Sequence, residues 1–160
     1  MELLDRVLKA ASRALSVVAG GSLVLLMTLT VVDVVLRGFR KPIAGTYELV
    51  AFAGALVIGL SMPLAQRARS HIYVEILVER LPRAARDAVH AVTRVLVIGL
   101  FAVIGWNLVK YGAGLMASHE VSLTLQVPFW PFAFALALGC LVQCMVHVGE
   151  IARILAGRYE

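Results

Sequence analysis

Four long runs of apolar residues dominate the chain, and polar residues are concentrated in the short segments between them. A helix needs roughly 20 apolar residues to cross a hydrocarbon core of about 30 Å. An open strand cannot satisfy its backbone hydrogen bonds in lipid, so each run predicts a transmembrane helix. The predicted spans cover about residues 12–36, 47–65, 88–111 and 128–148. The pattern therefore predicts an all-α integral membrane protein that forms one membrane domain over residues 1–160.

Two shorter segments have the amphipathic pattern of helices that lie flat at a membrane surface. At the N-terminus an apolar stripe recurs at helical spacing, formed by Leu3, Leu4, Val7, Leu8 and Ala11. Between spans two and three, residues 72–86 place apolar and charged residues on opposite sides of a helix. We expect Ile72, Ile76 and Leu77 to face lipid or the neighbouring spans. We expect Pro82 to break or restart this helix, and an ordinary solvated loop helix is the alternative interpretation of the segment.

The composition excludes a soluble fold. Hydrophobic residues make up 61% of the chain and charged residues 16%, whereas a soluble domain is about half apolar and about a quarter charged. A small domain has too much surface for its volume to bury so many apolar side chains. In a membrane protein the net charge of +5 bears on orientation, so nucleic acid is not predicted as a partner. Cys140 and Cys144 lie inside an apolar run and do not form a disulfide framework.

The distribution of Lys and Arg predicts that both termini are cytoplasmic. Four spans place the termini and the segment between spans two and three on one side. That side carries eleven basic residues: Arg6, Lys9, Arg13, Arg67, Arg69, Arg80, Arg83, Arg86, Arg94, Arg153 and Arg158. The other side carries four, Arg37, Arg40, Lys41 and Lys110, so the positive-inside rule sets the orientation. The first apolar run, 14–32, exceeds a signal-peptide core of about 7–15 residues, and we expect it to be a retained span.

Charged residues are concentrated at the predicted outer ends of spans one and two. Asp33 is the only acid deep in an apolar run, and Arg37 follows it by one helical turn. A proton or ion relay is one interpretation, but a single acid near an interface favours a local pair that orients the loop or docks a partner. Glu48 begins span two, where the helix dipole favours an acid, and it is placed to meet Arg37 or Arg40. We hypothesise that these residues, with Lys41, form a docking surface.

The histidines and cysteines do not define a catalytic or metal site. His90 and His147 lie near the cytoplasmic ends of spans three and four, where two facing histidines could ligate a haem. No second histidine pair supports a haem, and both residues are equally suited to the interface. Cys140 and Cys144 share a helix face, but zinc usually takes four ligands, so we interpret them as small packing residues. Because no nucleophile–base–acid set, phosphate loop or metal motif appears, we predict neither an enzyme nor a bound cofactor.

Small residues form two ridges of the kind that lets membrane helices approach closely. Ala51, Ala55 and Gly59 recur at intervals of four on span two, and Ala135 and Gly139 do so on span four. These ridges predict tight helix contacts, but they do not say whether the partner helix belongs to this chain or to another.

The order and spacing of several polar segments resemble one known family. The segments are DVVLR at 33–37, PIAGTYEL at 42–49, HIYVE at 71–75, LPR at 81–83 and QVPFW at 126–130. Together with the four-span plan, they cover nearly the whole chain. The chain resembles the small, DctQ-like membrane subunit of the tripartite ATP-independent periplasmic (TRAP) transporters. Glu75 stands where many relatives would have an aspartate, a difference that keeps the charge.

The resemblance implies a three-part uptake system in a bacterial or archaeal inner membrane. A periplasmic substrate-binding protein would capture an organic acid, such as a dicarboxylate, and a large membrane subunit would carry it by sodium symport. The small subunit would be a non-catalytic scaffold in contact with both partners and with lipid. Two other classes stay open. An autonomous four-helix transporter would need an acid near the middle of a span, whereas Asp33 lies near an end. A haem-bearing membrane anchor would need His90 and His147 as haem ligands.

Overall fold

The computed structural model describes residues 2–67 and 82–155, and within these ranges the chain forms four α-helices and no strand. The helices are α1 (Glu2–Gly38), α2 (Thr46–Arg67), α3 (Arg83–Ser118) and α4 (Trp130–Leu155). Each is long and apolar enough to cross a membrane. The predicted all-α architecture with four spans is therefore confirmed.

Helix α1 is a single continuous helix of 37 residues, which corresponds to about 55 Å at 1.5 Å per residue. The N-terminal apolar stripe is helical, but it joins span one without a break and is not the separate interfacial helix that we expected. Leu8 is buried, and its Cδ1 lies 3.5 Å from where a Cβ would stand at Gly149 of α4. The first turns of α1 therefore pack against the last turns of α4.

Helix α3 begins immediately after Pro82, whose φ of −60° and ψ of 149° are extended. Proline is tolerated at the start of a helix because its missing N–H has no intrahelical acceptor there. The expected helix boundary at Pro82 is confirmed, and residues 83–86 belong to α3 rather than to an interfacial helix. The rest of the expected interfacial helix, including Ile72, Ile76 and Leu77, lies outside the described residues.

Helix α4 is the centre of the bundle. It packs against α3, α2 and, less extensively, α1, while α1 packs along α2. Phe52 of α2 stacks on Phe132 of α4 with ring centroids 4.2 Å apart. Further along the same pair, a Cβ at Gly139 would lie 2.7 Å from the carbonyl oxygen of Gly59. This close crossing requires glycine at 139, and it makes α2 and α4 the core of the bundle.

The two connections, residues 39–45 and 119–129, lie at the same end of the bundle, where the carboxylate of Glu48 contacts the second connection. We call this end the loop face. We call the opposite end, where α1 begins and α4 ends, the terminal face. Each face carries a cluster of polar side chains.

Candidate functional site

Asp33 fastens the first connection to the end of α1. Its side chain is buried, and one carboxylate oxygen accepts a hydrogen bond from the Arg37 Nε at 2.7 Å. The other oxygen accepts from the backbone N–H of Ile43 at 2.9 Å. Arg37 also points an Nη at the Tyr47 hydroxyl at 3.4 Å. Asp33 is thus engaged in ordering the loop, an arrangement that favours the structural interpretation over an ion relay.

Arg40 and Lys41 lie on a tight turn that ends α1. The backbone N–H of Lys41 bonds the carbonyl of Leu36 at 2.9 Å, and that of Arg40 bonds the carbonyl of Arg37 at 3.0 Å. This is the Schellman arrangement, in which the residue at position 40 adopts a left-handed conformation that normally favours glycine. Arg40 has a φ of 59°. Both basic side chains are exposed, and no ion pair within the described residues engages either of them.

Glu48 holds the second connection against α2. Its carboxylate accepts hydrogen bonds from the Ser122 hydroxyl at 2.6 Å, the Thr124 N–H at 2.9 Å and the Leu125 N–H at 3.1 Å. Leu125 in turn covers Gly45, whose φ is 77° and where any Cβ would overlap the leucine side chain. Within the described residues, the structure shows no contact of Glu48 with Arg37 or Arg40, the two partners that the sequence also allowed. The carboxylate instead satisfies backbone donors in a loop more than 70 residues away.

On the terminal face, Glu150 connects three helices. Its carboxylate accepts hydrogen bonds from Arg94 Nε of α3 at 3.1 Å and from Gln66 Nε2 of α2 at 3.2 Å. The Nδ1 of His147 lies 3.4 Å from the same carboxylate. Arg94, Gln66 and His147 are all buried. Because the charges are paired and hydrogen-bonded, the bundle tolerates them inside an apolar environment.

The sequence did not predict this cluster. Arg94, which was counted among the basic residues of the cytoplasmic side, is only 4% exposed and pairs with Glu150. One signal was present in the sequence, since Gln143, His147 and Glu150 follow each other at intervals of four and three residues. That spacing places three polar side chains on one face of α4.

The structure offers the haem interpretation no support at His147. The Nε2 of His147 lies 3.1 Å from the Gln143 amide nitrogen, and its Nδ1 faces Glu150. The side chain of His90 lies outside the described residues. Within the part of the chain that the structure describes, no group of three or more His, Cys, Asp or Glu side chains is placed to hold a metal ion. Cys144 contacts the carbonyl of Ile98 at 3.7 Å, as a packing residue between α3 and α4 would.

The small-residue ridges meet at one point. Gly59 lies against Gly139 and the side chain of Leu136, whereas Ala55 is half-buried and Ala51 is exposed. Within the described residues, the close approach of α2 and α4 is therefore concentrated at the glycines.

The fold and its polar clusters define the class of protein. Four apolar spans, with polar side chains used to join helices and order loops, make this a multi-pass membrane protein. A family model described as tripartite ATP-independent periplasmic transporters, DctQ component, matches residues 26–157. The chain belongs to this family, and is therefore a small membrane subunit of a TRAP transporter. A search of curated proteins returned no match.

Proposed function

We propose that this chain is the scaffold subunit of a sodium-coupled uptake system for organic acids. It supports the large transport subunit in the inner membrane and helps to dock a periplasmic substrate-binding protein. The proposal places both termini in the cytoplasm and the loop face in the periplasm. Membership of the DctQ family supports the assembly, and the excess of basic residues towards the terminal face supports the orientation.

The observation that carries the docking role is the presence of two exposed cations on an ordered turn. Arg40 occupies a left-handed position where glycine is preferred. Its side chain and that of Lys41 contribute no ion pair to the described part of the fold. The turn beneath them is held by backbone bonds and by Asp33. Fixed cations that face water can steer an acidic patch on a soluble partner.

Charge reversal tests the docking role. In the double variant Arg40→Glu/Lys41→Glu, we expect the complex to assemble normally, because neither side chain packs in the fold. The concentration of binding protein that gives half-maximal uptake should rise on the order of tenfold at low salt, since steering by charge changes association rates by 10 to 1,000-fold. The difference should shrink as salt is raised, because the Debye length falls.

Lys9→Glu is the matched control. Lys9 is an exposed basic residue on α1, near the terminal face, so reversing its charge should leave the uptake curve unaltered. If Arg40→Glu/Lys41→Glu shows the wild-type dependence on binding protein at both low and high salt, these residues do not dock it.

The proposal assigns the transport step itself to the large subunit. Within the described residues, the carboxylates of the spans lie near the loop face or the terminal face: Asp33, Glu48 and Glu150. Each of them is held by bonds to loops or to other helices. Membrane vesicles that contain this chain alone are therefore expected to show no uptake. Sodium-dependent uptake of organic acids by such vesicles would contradict the proposal.

A further inference from the structure

The outward side of α3 changes character part of the way along the helix. Gly105 and Gly112 lie against α4, since a Cβ at either would lie 3.3 Å from an α4 side chain. The opposite side faces away from the bundle, and we call it the outer stripe of α3. Before Trp106 the outer stripe exposes large aliphatic side chains, namely Val92, Leu96, Leu100 and Val103. Beyond Trp106 it exposes small or polar residues, namely Asn107, Lys110, Gly114 and Ser118.

At the level where the outer stripe becomes polar, the other side of the bundle is still apolar. Three contacts link the helices at this level: Gly112 with Ala133, Phe132 with Phe52, and Gly54 with Leu26. Lys110 lies about 3 Å along α3 from the first of these contacts, at 1.5 Å per residue. On α1 the neighbours of Leu26 are the exposed aliphatic residues Leu25 and Met27. Two sides of one bundle therefore present different surfaces at the same depth.

The Lys110 side chain leans away from the loop face. It is exposed and forms no ion pair within the described residues. Its Nζ lies 5.3 Å from the centre of the Trp106 ring, one helical turn nearer the terminal face. This is the direction expected, because side chains of a helix lean towards its N-terminus. The ammonium group therefore does not extend to the end of α3, about 12 Å away. A cation left in hydrocarbon is costly, so an anion should meet it at this depth.

The order of residues along the outer stripe indicates which anion this is. Large aliphatic side chains, a tryptophan and then a cation follow the order of acyl chains, ester region and phosphate in a phospholipid. The Asn107 amide nitrogen already donates to the carbonyl of Val103 at 2.8 Å, whereas the lysine ammonium offers three N–H donors. A carboxylate on another protein helix would also pair with Lys110. It would not explain why the stripe stays small or polar from Asn107 to the end of α3.

We propose that the outer stripe of α3 binds an anionic phospholipid, with the lipid phosphate at Lys110 and the acyl chains along Leu100 and Val103. The headgroup layer then lies closer to the bilayer centre beside α3 than beside α1, through tilt of the bundle or local thinning of the bilayer. The inference goes beyond the scaffold role and does not depend on it. The proposed orientation serves only to assign the lipid to the periplasmic leaflet.

Fluorescence quenching of Trp106 tests which lipid lies on the outer stripe. In the variant Trp130→Phe, Trp106 is the only tryptophan. The full chain is reconstituted in vesicles of phosphatidylcholine and phosphatidylglycerol, with one lipid or the other brominated in its acyl chains. At low salt we expect quenching to show about fivefold preference for phosphatidylglycerol, the effect of one lysine near an anionic headgroup.

Substitutions of lysine assign this preference. Lys110→Leu should abolish it and Lys110→Arg should retain it. Lys41→Leu is the matched control, since it makes the same change at an exposed lysine outside the stripe, and the preference should be retained. Equal quenching by the two lipids when Lys110 is present, an unchanged preference in Lys110→Leu, or no quenching by either lipid would overturn the proposal.

Cysteine labelling tests the depth in the complete three-part system. Gly114 has open space for a side chain, and Met27 is exposed at a comparable level of α1. Both are replaced by cysteine in a Cys140→Ala/Cys144→Ala background, and a membrane-impermeant maleimide is supplied on both sides of the vesicles. We expect Gly114→Cys to react and Met27→Cys to be protected. Protection of Gly114→Cys, as under a covering protein helix, or equal reactivity at the two positions would contradict the proposal.

This result is separate from the proposed function. Because the reagent reaches both sides of the membrane, a reversed orientation would not change the labelling. Loss of binding-protein docking would not change it either. The lipid site and the scaffold role can therefore fail independently.

Discussion

The two polar clusters of this protein use carboxylates in different ways. On the loop face, Asp33 and Glu48 accept hydrogen bonds mainly from backbone N–H groups of the connections. On the terminal face, Glu150 accepts from side chains that belong to α2 and α3. The first arrangement shapes loops at the ends of helices. The second joins side chains of three helices inside the bundle.

This difference separates charges used within the fold from charges left for partners. At Glu150 the ionised partner, Arg94, is buried, and the Glu150 side chain is only 15% exposed, so the pair contributes to the assembly of the bundle. On the loop face the acids are satisfied largely by the backbone. The exposed cations Arg40 and Lys41 are thereby left without ion-pair partners in the described part of the fold. The comparison predicts large structural effects on the terminal face and mainly functional effects on the loop face.

The largest effect is expected from Glu150→Leu. Without the Glu150 carboxylate, the buried Arg94 loses its ion pair with α4. Breaking a buried ion pair typically lowers the free energy of unfolding by about 3–5 kcal/mol. The free energy of unfolding can be measured by titrating the purified chain from mild detergent into a denaturing surfactant. The double variant Arg94→Leu/Glu150→Leu is the control, and it should recover a substantial part of the loss. A double variant as unstable as the sum of the two single variants would show that the two residues do not act as a pair.

A smaller, local effect is expected from Glu48→Ala. The backbone N–H groups of Thr124 and Leu125 lose their acceptor, so their hydrogen exchange should accelerate about tenfold or more. Glu48→Gln keeps one acceptor oxygen and should give an intermediate rate. Amides in the middle of α4 should exchange as in the wild type. Acceleration throughout α4 would mean that Glu48 supports the bundle and not only the loop, and would weaken the contrast between the faces.

The smallest effect on the fold is expected from Arg40→Gly. Glycine adopts the left-handed conformation at this position without strain, so the unfolding free energy should rise by about 1 kcal/mol. The same variant should need more binding protein for half-maximal uptake, because one of the two exposed cations is lost. Arg40→Asn, which also tolerates the left-handed conformation, separates backbone strain from charge. A loss of stability in Arg40→Gly would show that the arginine side chain serves the fold.

Those features of the fold that are caused by neighbouring residues could be predicted from the sequence. The apolar runs were sufficient for the four spans, because in lipid an apolar segment of that length has only the helix available. Pro82 similarly marked the start of α3, since a proline ring constrains its own backbone wherever it occurs. The N-terminal stripe shows the limit of such reasoning. Its apolar pattern predicted a helix, but nothing local showed that the helix would continue into span one and pack Leu8 against α4.

How well a polar contact could be predicted depended on how far apart its two partners lie along the chain. The Asp33–Arg37 pair spans one helical turn and was predictable from spacing alone. Glu48 was placed correctly at the start of a helix, but its partners lie more than 70 residues away. That Glu48 accepts hydrogen bonds from the backbone amides of the loop and does not pair with a nearby arginine therefore could not be predicted from neighbouring residues.

The sequence by itself determined that this chain is a four-helix membrane protein with charges collected at its ends, because hydrophobicity and backbone hydrogen bonding act on each segment separately. Only the tertiary structure decided which charges are buried in pairs and which remain exposed. Arg94, Gln66 and Glu150 come from three helices, and they meet because α2 and α3 pack on α4 at fixed depths. A cavity lined by Gln143 has the same origin, since α2 and α3 both pack on α4 but hardly touch each other within the described residues.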